Sequence, residues 1–479
     1  MADIRIDNAT VITMDKERRV IDQGSVAIEK DRIVAVGPTS EIAPAHPAET
    51  VIDGTRMAVM PGLIDVHAHA GHGLIKTMGG GNGKAWFETC GEVYTTASDT
   101  HFWHSEAMLA GLERLKAGVT CGVSLLGGGD TVMRTDEPIY GEAHLDAIRQ
   151  LGTRVVMAVG SCRATYPWTY ANWESGTPKE LTVSFEDQMA TCETLIKAYH
   201  GTEGGRLNIC MITPTLRGEH LDHASKDEVA EMIRQAQAGS RIAREHGLVF
   251  TQDGHQTGTV KFAKENMDIL GPEMLLSHAT DFTDEEIEIC AEYDLKIAHN
   301  TSSNASVFGR CRAIELMDAG VTVGIGSDAT APDRSGDMLR HVQHCMHYHR
   351  RHFRDTHVLP PGKALEMVTI DSARALGMED EIGSLDVGKK ADVIAIDLAK
   401  PHLFPHNMIP FRVAYFANGA DVDTVIVNGK VLMRGREVAT ADQAKVLDEA
   451  QKATDIMLER TGRHALLDIP ENFFGATRY

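Results

Sequence analysis

His67 and His69 close the run Pro61-Gly62-Leu63-Ile64-Asp65-Val66. Alternate side chains of a strand share a face, so a short apolar strand ending in His-x-His offers two imidazoles to one point in space. Neutral imidazole is a common ligand for zinc and other divalent ions, and a catalytic site adds a third protein ligand while leaving one position for water. Two histidines are half of such a site. Taken alone, the pattern also matches two ordinary strand histidines, and it gains meaning only from what else the chain brings to the same place.

Between residues 60 and 380, short β-rich runs alternate with helical patterns, as in parallel βα units. Eight strands are expected: Leu63 to His69, Val119 to Leu125, Arg154 to Gly160, Leu207 to Thr213, Leu248 to Gly254, Met274 to His278, Lys296 to His299 and Val321 to Ser327. The fold class is therefore α/β, a (β/α)8 TIM-type barrel, whose catalytic residues gather at the C-terminal strand ends. His67, His69, Asp253, His278, His299 and Asp328 all fall at such ends. Residues far apart in sequence would thus meet in one cleft.

Short β-like pieces also stand at both ends of the chain, Thr10 to Met14, Ser25 to Ile28 and Ile33 to Val36 early, then Ala391 to Asp397, Thr424 to Val427 and Val431 to Met433 late. Neither set has a full core of its own, and the two are expected to pack together as a small β-sandwich. The expected partition is 1–58 for its first part, 59–380 for the barrel, 381–438 for its second part, and 439–479 for a C-terminal helix and tail.

The chain has 479 residues, 43% of them hydrophobic, enough for a barrel with an attached module. Its net charge of -21 argues against nucleic acid or an anionic membrane as partner. No signal peptide, anchor or bilayer-length apolar run is visible, and the eight scattered cysteines suit reduced, structural thiols. The expected setting is cytoplasmic, with a small-molecule substrate and a homo-oligomeric assembly.

Asp328 follows Gly324-Ile325-Gly326-Ser327 and can complete a metal site while taking a proton from a metal-activated water. His278, after Met274-Leu275-Leu276-Ser277, can orient that water or stabilise charge on the substrate.

With these segments in place the chain resembles the amidohydrolase superfamily. The matching stretches are Pro61 to His69, Ser277-His278, His299 to Asn304, Ser327-Asp328 and the block Gly383-Ser384-Leu385-Asp386-Val387-Gly388-Lys389-Lys390-Ala391-Asp392. The nearest resemblance is to the branch of guanine, cytosine and S-adenosylhomocysteine deaminases and the triazine (atrazine) hydrolases. It implies one divalent ion, zinc or alternatively iron, activating water to displace an amine or halide from an electron-poor ring.

That branch carries His-x-x-Glu-Thr at the end of strand five, whereas this chain has Asp253-Gly254-His255-Gln256-Thr257. Aligning Gln-Thr with Glu-Thr puts Asp253 at the ligand position and Gln256 at the position of the proton-shuttling acid. The expected metal set is His67, His69, Asp253 and Asp328. A glutamine amide hydrogen-bonds but does not transfer a proton as a carboxylic acid does. His255, on the face of Asp253 if the strand continues, is the alternative ligand or acid-base group. No lysine ends strand four to bridge two ions; Pro214 to Arg217 stands there.

Substrate contacts are expected from Trp86, Arg217 and His220, with Arg163 and Trp168 on loops of the same mouth. The glycine run Gly79 to Gly83 reads as a flexible wall, since no Lys-Ser/Thr helix start follows it. His341, His344, His347, His349, His352 and His357 have mixed spacing and read as a solvated or subunit-packing helix surface, one of whose histidines could reach substrate. The tail from Thr440 is expected to dock on its own barrel or a neighbouring subunit. The expected function is metal-dependent hydrolysis of a C–N bond, by deamination or amide- or urea-type cleavage, or displacement of a similar leaving group on a small heterocyclic compound. The alternative is a non-catalytic ligand-binding protein on a degenerate barrel.

Overall fold

The computed structural model describes residues 1–79, 83–128, 132–306, 309–328, 330–331 and 334–477. Eight parallel strands pair in sequence order: β1 Leu63–Asp65, β2 Val119–Leu125, β3 Arg154–Gly160, β4 Leu207–Ile212, β5 Phe250–Gln252, β6 Met274–Ser277, β7 Lys296–His299 and β8 Thr322–Ile325. The ring closes where the Val66 N–H donates to the Ile325 carbonyl at 3.4 Å and the Asp328 N–H to the His67 carbonyl at 2.8 Å. Helices between the strands complete a (β/α)8 barrel, and β2 and β3 are buried at every residue, as strands covered on both faces must be.

Local capping chemistry fixes where several of these helices begin. Asp99 accepts from the Phe102 N–H at the start of Thr100–Lys116, and capping boxes at Ser225 and Thr283 open Lys226–His246 and Asp284–Glu292. Each cap satisfies backbone donors that the first helical turn cannot satisfy itself.

The two terminal strand sets join in one nine-stranded sheet. Met57–Pro61 pairs antiparallel with Val393–Asp397 on one side and parallel with Ala2–Ile12 on the other, so it bridges the early and late parts. Ile4, Val11, Val26, Val59, Val393 and Ile426 meet in one apolar cluster drawn from both ends. The sheet is stitched to the barrel by Arg154 at the start of β3, which pairs with Asp392 at 3.1 Å, both side chains almost wholly buried.

Two elements were not expected from the sequence. Ala48–Asp53 is a further strand of the terminal sheet, and its mostly exposed side chains explain why no alternating pattern marked it. A hairpin of Trp168–Asn172 and Lys179–Val183 follows β3. The tail forms a helix, Gln443–Thr461, docked on its own chain: Arg460 pairs with Asp99 at 2.7 Å and donates to the Ala97 carbonyl at 2.8 Å. All eight cysteines are buried free thiols, and among the described residues no helix is long and apolar enough to cross a membrane.

Candidate metal centre

At the C-terminal mouth the ends of β1, β5, β6 and β8 converge on two carboxylates. His67 Nε2 lies 3.3 Å from Asp253 Oδ1 and 3.6 Å from Asp328 Oδ1. His69 Nε2 lies 3.5 Å from Asp253 Oδ2 and 3.2 Å from Asp328 Oδ1, and His278 Nε2 lies 3.2 Å and 3.8 Å from the Oδ1 atoms of the same two aspartates. Three imidazole nitrogens and two carboxylates thus surround one small volume, with donor atoms of His67, His69 and Asp328, and of His67, Asp253 and His278, lying within 4.8 Å of one another. Donors bonded at about 2.0–2.2 Å to a single divalent ion stand at such mutual separations, so the residues fit a metal.

Burial by itself would raise both carboxyls; the imidazoles around them outweigh it, His67 foremost at Asp253 and His278 foremost at Asp328, and hold both well below the ordinary carboxylate range. Burial likewise works against a proton on His67, yet the two aspartates lift its imidazole to about 10. Two buried anions therefore demand a cation, which a proton on His67 or a metal ion can supply.

The surrounding chain aims these groups. The His69 Nδ1–H donates to the Gly127 carbonyl at 3.2 Å, leaving the Nε2 lone pair facing the carboxylates. Asp65 accepts from the Ser327 N–H at 2.9 Å, the Ser327 hydroxyl at 2.6 Å, the Arg114 guanidinium at 2.9 Å and the His67 N–H at 3.3 Å. The Ser277 hydroxyl donates to Asp253 Oδ1 at 2.5 Å, and the Asn300 amide reaches His278 Nε2 at 3.3 Å. His278 and Asp328 both sit at left-handed backbone angles, φ 70° and 64°, a strained conformation that recurs where geometry serves function.

His255 does not join this group. The strand stops at Gln252, and Gly254, at φ +77°, turns the chain so that the two-residue alternation is lost. The His255 imidazole instead meets the Thr259 hydroxyl at 2.9 Å and lies edge-on to Phe282, and burial lowers it to about 3. Gln256 is half-buried in the turn ahead of Thr259–Asn266, its backbone N–H donating to the Thr259 hydroxyl.

The loop residues take up positions around the mouth. Trp86, in the helix Gly83–Glu92, lies 5.2 Å between ring centroids from His72, which lies 4.8 Å from His69. Gly80, Gly81 and Asn82 of the glycine run lie outside the described residues. The Arg217 guanidinium covers Gly254, whose Cβ, if present, would meet Nη1 at 3.0 Å. His220 accepts at Nδ1 from Arg163 at 2.8 Å, and the Trp168 indole donates to the Arg163 carbonyl at 2.9 Å.

His299 occupies a strand end but pairs elsewhere, its Nε2 3.0 Å from His349 Nε2 with Cys345 beside them, all three buried. The helix Met338–Phe353 is accordingly not a purely solvated histidine surface: His341 and His349 are buried, His344 and His347 exposed. Sequence reading passed over Asp65, His72, Ser277 and Asn300. Their proximity in sequence to His67, His69, His278 and His299 was the available signal.

An amidohydrolase family model matches residues 58–432, and an imidazolonepropionase-like composite domain of bacteria matches 26–48. Among curated proteins, the 5'-deoxyadenosine deaminase of Methanosarcina barkeri is 30% identical over 469 residues, covering 96% of this chain and 99% of the relative. The 5-methylthioadenosine/S-adenosylhomocysteine deaminase of Moorella thermoacetica is 29% identical, covering 94% and 99%. Of solved structures, an adenosine deaminase from Xanthomonas campestris with bound zinc aligns at TM-score 0.80 and 20% identity over 96% of this chain and 99% of its own. Atrazine chlorohydrolase from Arthrobacter aurescens, complexed with zinc, aligns at 0.76 and 21% over 94% and 100%.

Proposed function

The chain belongs to the amidohydrolase family, and from that premise we propose that it hydrolyses a C–N bond of an aminated nitrogen heterocycle, releasing ammonia. The observation that carries this reading is the convergence of His67, His69 and His278 on Asp253 and Asp328. A purine of the adenine type is the leading substrate class, because curated relatives alike over nearly their whole length deaminate 5'-deoxyadenosine, 5-methylthioadenosine or S-adenosylhomocysteine.

His67, His69, Asp253 and Asp328 would hold one divalent ion, zinc in first place and iron as the alternative. Such an ion, when bound, supplies Lewis acidity that makes water nucleophilic at neutral pH. Asp328 accepts the proton of the attacking water and returns it to the departing amine. His278, steadied by the Asn300 amide, offers its imidazole to the oxygen that attacks or to the charge that develops on the ring. Trp86, Arg217 and His220 wall the space in which the ring lies.

Gln256 supports a second substrate class within the same reaction type. Its amide donates a hydrogen bond to a ring nitrogen or a carbonyl but transfers no proton, which suits an amide- or urea-like carbonyl better than a ring that must be protonated. Ammonia release measured across adenosine, 5'-deoxyadenosine, guanine, a pterin, an aminotriazine and a cyclic urea separates the two. Turnover of an adenine compound is the expected result. Absence of ammonia from every amine, together with hydrolysis of the urea, would overturn the deaminase reading, and no turnover of any by metal-loaded protein would overturn both.

A further inference from the structure

His299, Cys345 and His349 form a second group of metal-ligating side chains, which the reaction centre does not use. One ligand atom from each lies within 4.8 Å of the other two, and all three residues are wholly buried. Cys345 and His349 stand one turn apart on Met338–Phe353, so they share a face, and that face meets His299 at the C-terminal end of β7.

The two rings are set to offer lone pairs to one point. Their Nε2 atoms are 3.0 Å apart, and the Asn304 side chain favours a hydrogen on His299. With that hydrogen on Nδ1, the His299 Nε2 lone pair faces His349, much as the Gly127 carbonyl turns His69 Nε2 toward its carboxylates. His349 Nδ1 has no hydrogen-bond partner among the described residues, so this ring can move its hydrogen from Nε2 to Nδ1 and expose a second lone pair without breaking a bond at Nδ1. Both imidazoles are neutral, the form that binds metal. Burial, then the Arg310 guanidinium, holds His349 down at about 4, and burial with the neighbouring His349 and His278 keeps His299 well below its ordinary value.

The donor set also selects the ion. A thiolate with two imidazoles suits zinc or copper. Structural zinc takes four ligands, and among the described residues no fourth donor joins these three, while their burial leaves no side open to bulk water. A trigonal set of two histidines and a cysteine is an arrangement that copper accepts. Charge points the same way. Arg310, although paired with Glu315 at 2.7 Å, opposes positive charge on both imidazoles. A thiolate with a monovalent ion is neutral, whereas a divalent ion would leave a net positive charge buried near that guanidinium.

We propose that His299, Cys345 and His349 form a copper(I) site, distinct from the centre of His67, His69, Asp253 and Asp328. Burial pushes the Cys345 thiol up to about 12, so it is protonated while the site is empty. As the ion enters, the thiol proton passes to water, sulfur binds the ion in its place, and the two Nε2 atoms complete the triangle; copper does not change oxidation state. The bound ion ties β7 to the helix that follows β8.

The protein is expressed with copper added to the medium, purified without oxygen and desalted; protein prepared without copper carries the reaction-centre ion alone and serves as the blank. About one copper per chain is expected, with one sulfur and two nitrogen ligands by X-ray absorption, and a melting temperature above that of the blank. Cys345→Ser keeps the shape but offers a poor ligand for copper(I), and its copper content should fall by at least about tenfold. Cys210→Ser, which removes a buried thiol outside the group, and Asp253→Ala, which disables the reaction centre, should both keep the copper. X-ray absorption is recorded on the parent and therefore decides the ligands even if Cys345→Ser fails to fold. Copper without a sulfur ligand, copper held equally by Cys345→Ser, or no copper after growth in its presence would overturn the site. Zinc in its place, lost from a folded Cys345→Ser, would keep the donor set and overturn the ion assigned to it.

Discussion

The Ser327 hydroxyl donates to Asp65 Oδ2 at 2.6 Å while the His67 N–H donates to Asp65 Oδ1, so one buried carboxylate at the end of β1 ties together the chain segments that present His67 and Asp328. Removing Asp65 should loosen two metal-facing groups at once. Asp65→Ala also strands the Arg114 guanidinium, and a loss of about 3–5 kcal/mol in unfolding free energy is expected. Ser327→Ala, which leaves that ion pair intact, should cost little stability yet weaken metal affinity by roughly 10–100-fold in a competition titration against a chelator. Unchanged affinity in both variants would remove Asp65 from the positioning of the centre.

Asp253 and Gln256 are expected to part company by elemental analysis. The parent should carry one ion per chain, Asp253→Ala much less than one, and Gln256→Ala the full complement with altered KM or kcat. Asp253→His restores an imidazole at this position and should retain the ion. Gln256→Glu supplies the missing proton donor, and ammonia release from a ring substrate should then rise. Retention of metal by Asp253→Ala together with its loss in His255→Ala would mean that the residues are assigned two places out of register.

Asp328→Asn preserves shape but removes the proton acceptor, and turnover should fall by roughly 10²–10⁴-fold with an unchanged unfolding midpoint. His278→Ala should be similarly impaired. Parental rates in Asp328→Asn would exclude this carboxylate from proton transfer.

Acid should destabilise the fold through histidines that stay neutral inside it. Burial lowers His144 to about 3 and His349 to about 4. A depressed imidazole binds its proton in the unfolded chain first, so stability is complete above about pH 6.5 and falls as pH drops from there toward the folded values. At pH 5 each such histidine costs about 2 kcal/mol. His144, whose ring nitrogens have no partner among the described residues, can be replaced by Leu. The loss of stability between pH 7.5 and pH 5, measured by denaturant titration, should then shrink by about that amount, and an unchanged loss would show that His144 is not one of the groups responsible.

The barrel was legible because most of its strands lie in short, largely apolar runs, and a sheet covered on both faces needs no finer pattern than that. Strand ends brought His67, His69, Asp253 and Asp328 to one mouth, but they brought His299 there as well, and the choice of those four as expected ligands rested also on the family resemblance. His255 was misplaced because alternation holds only while the chain stays extended, and Gly254 ends it. Ala48–Asp53 escaped because its exposed face removes the apolar contrast by which a strand is recognised. The histidine-rich helix was half legible: His341, Cys345 and His349 recur at intervals of four and form the buried stripe, whereas the remaining histidines face outward. The contacts of Ser302 with His341 and His344 were hidden because they join the segments after β7 and β8, which only the closed barrel sets together.

The pairing of Met57–Pro61 with Val393–Asp397 also sets a timetable for biosynthesis. At ribosomal speed the first strand emerges on the order of tens of seconds before the second exists. During that interval an apolar strand edge stands uncovered, and such an edge recruits whatever strand is nearest, including one from another nascent copy. Fast synthesis, a chaperone that masks the edge, or low crowding of nascent chains thus governs yield, and a circular permutant that brings the two strands together early should express with less aggregation than the natural order.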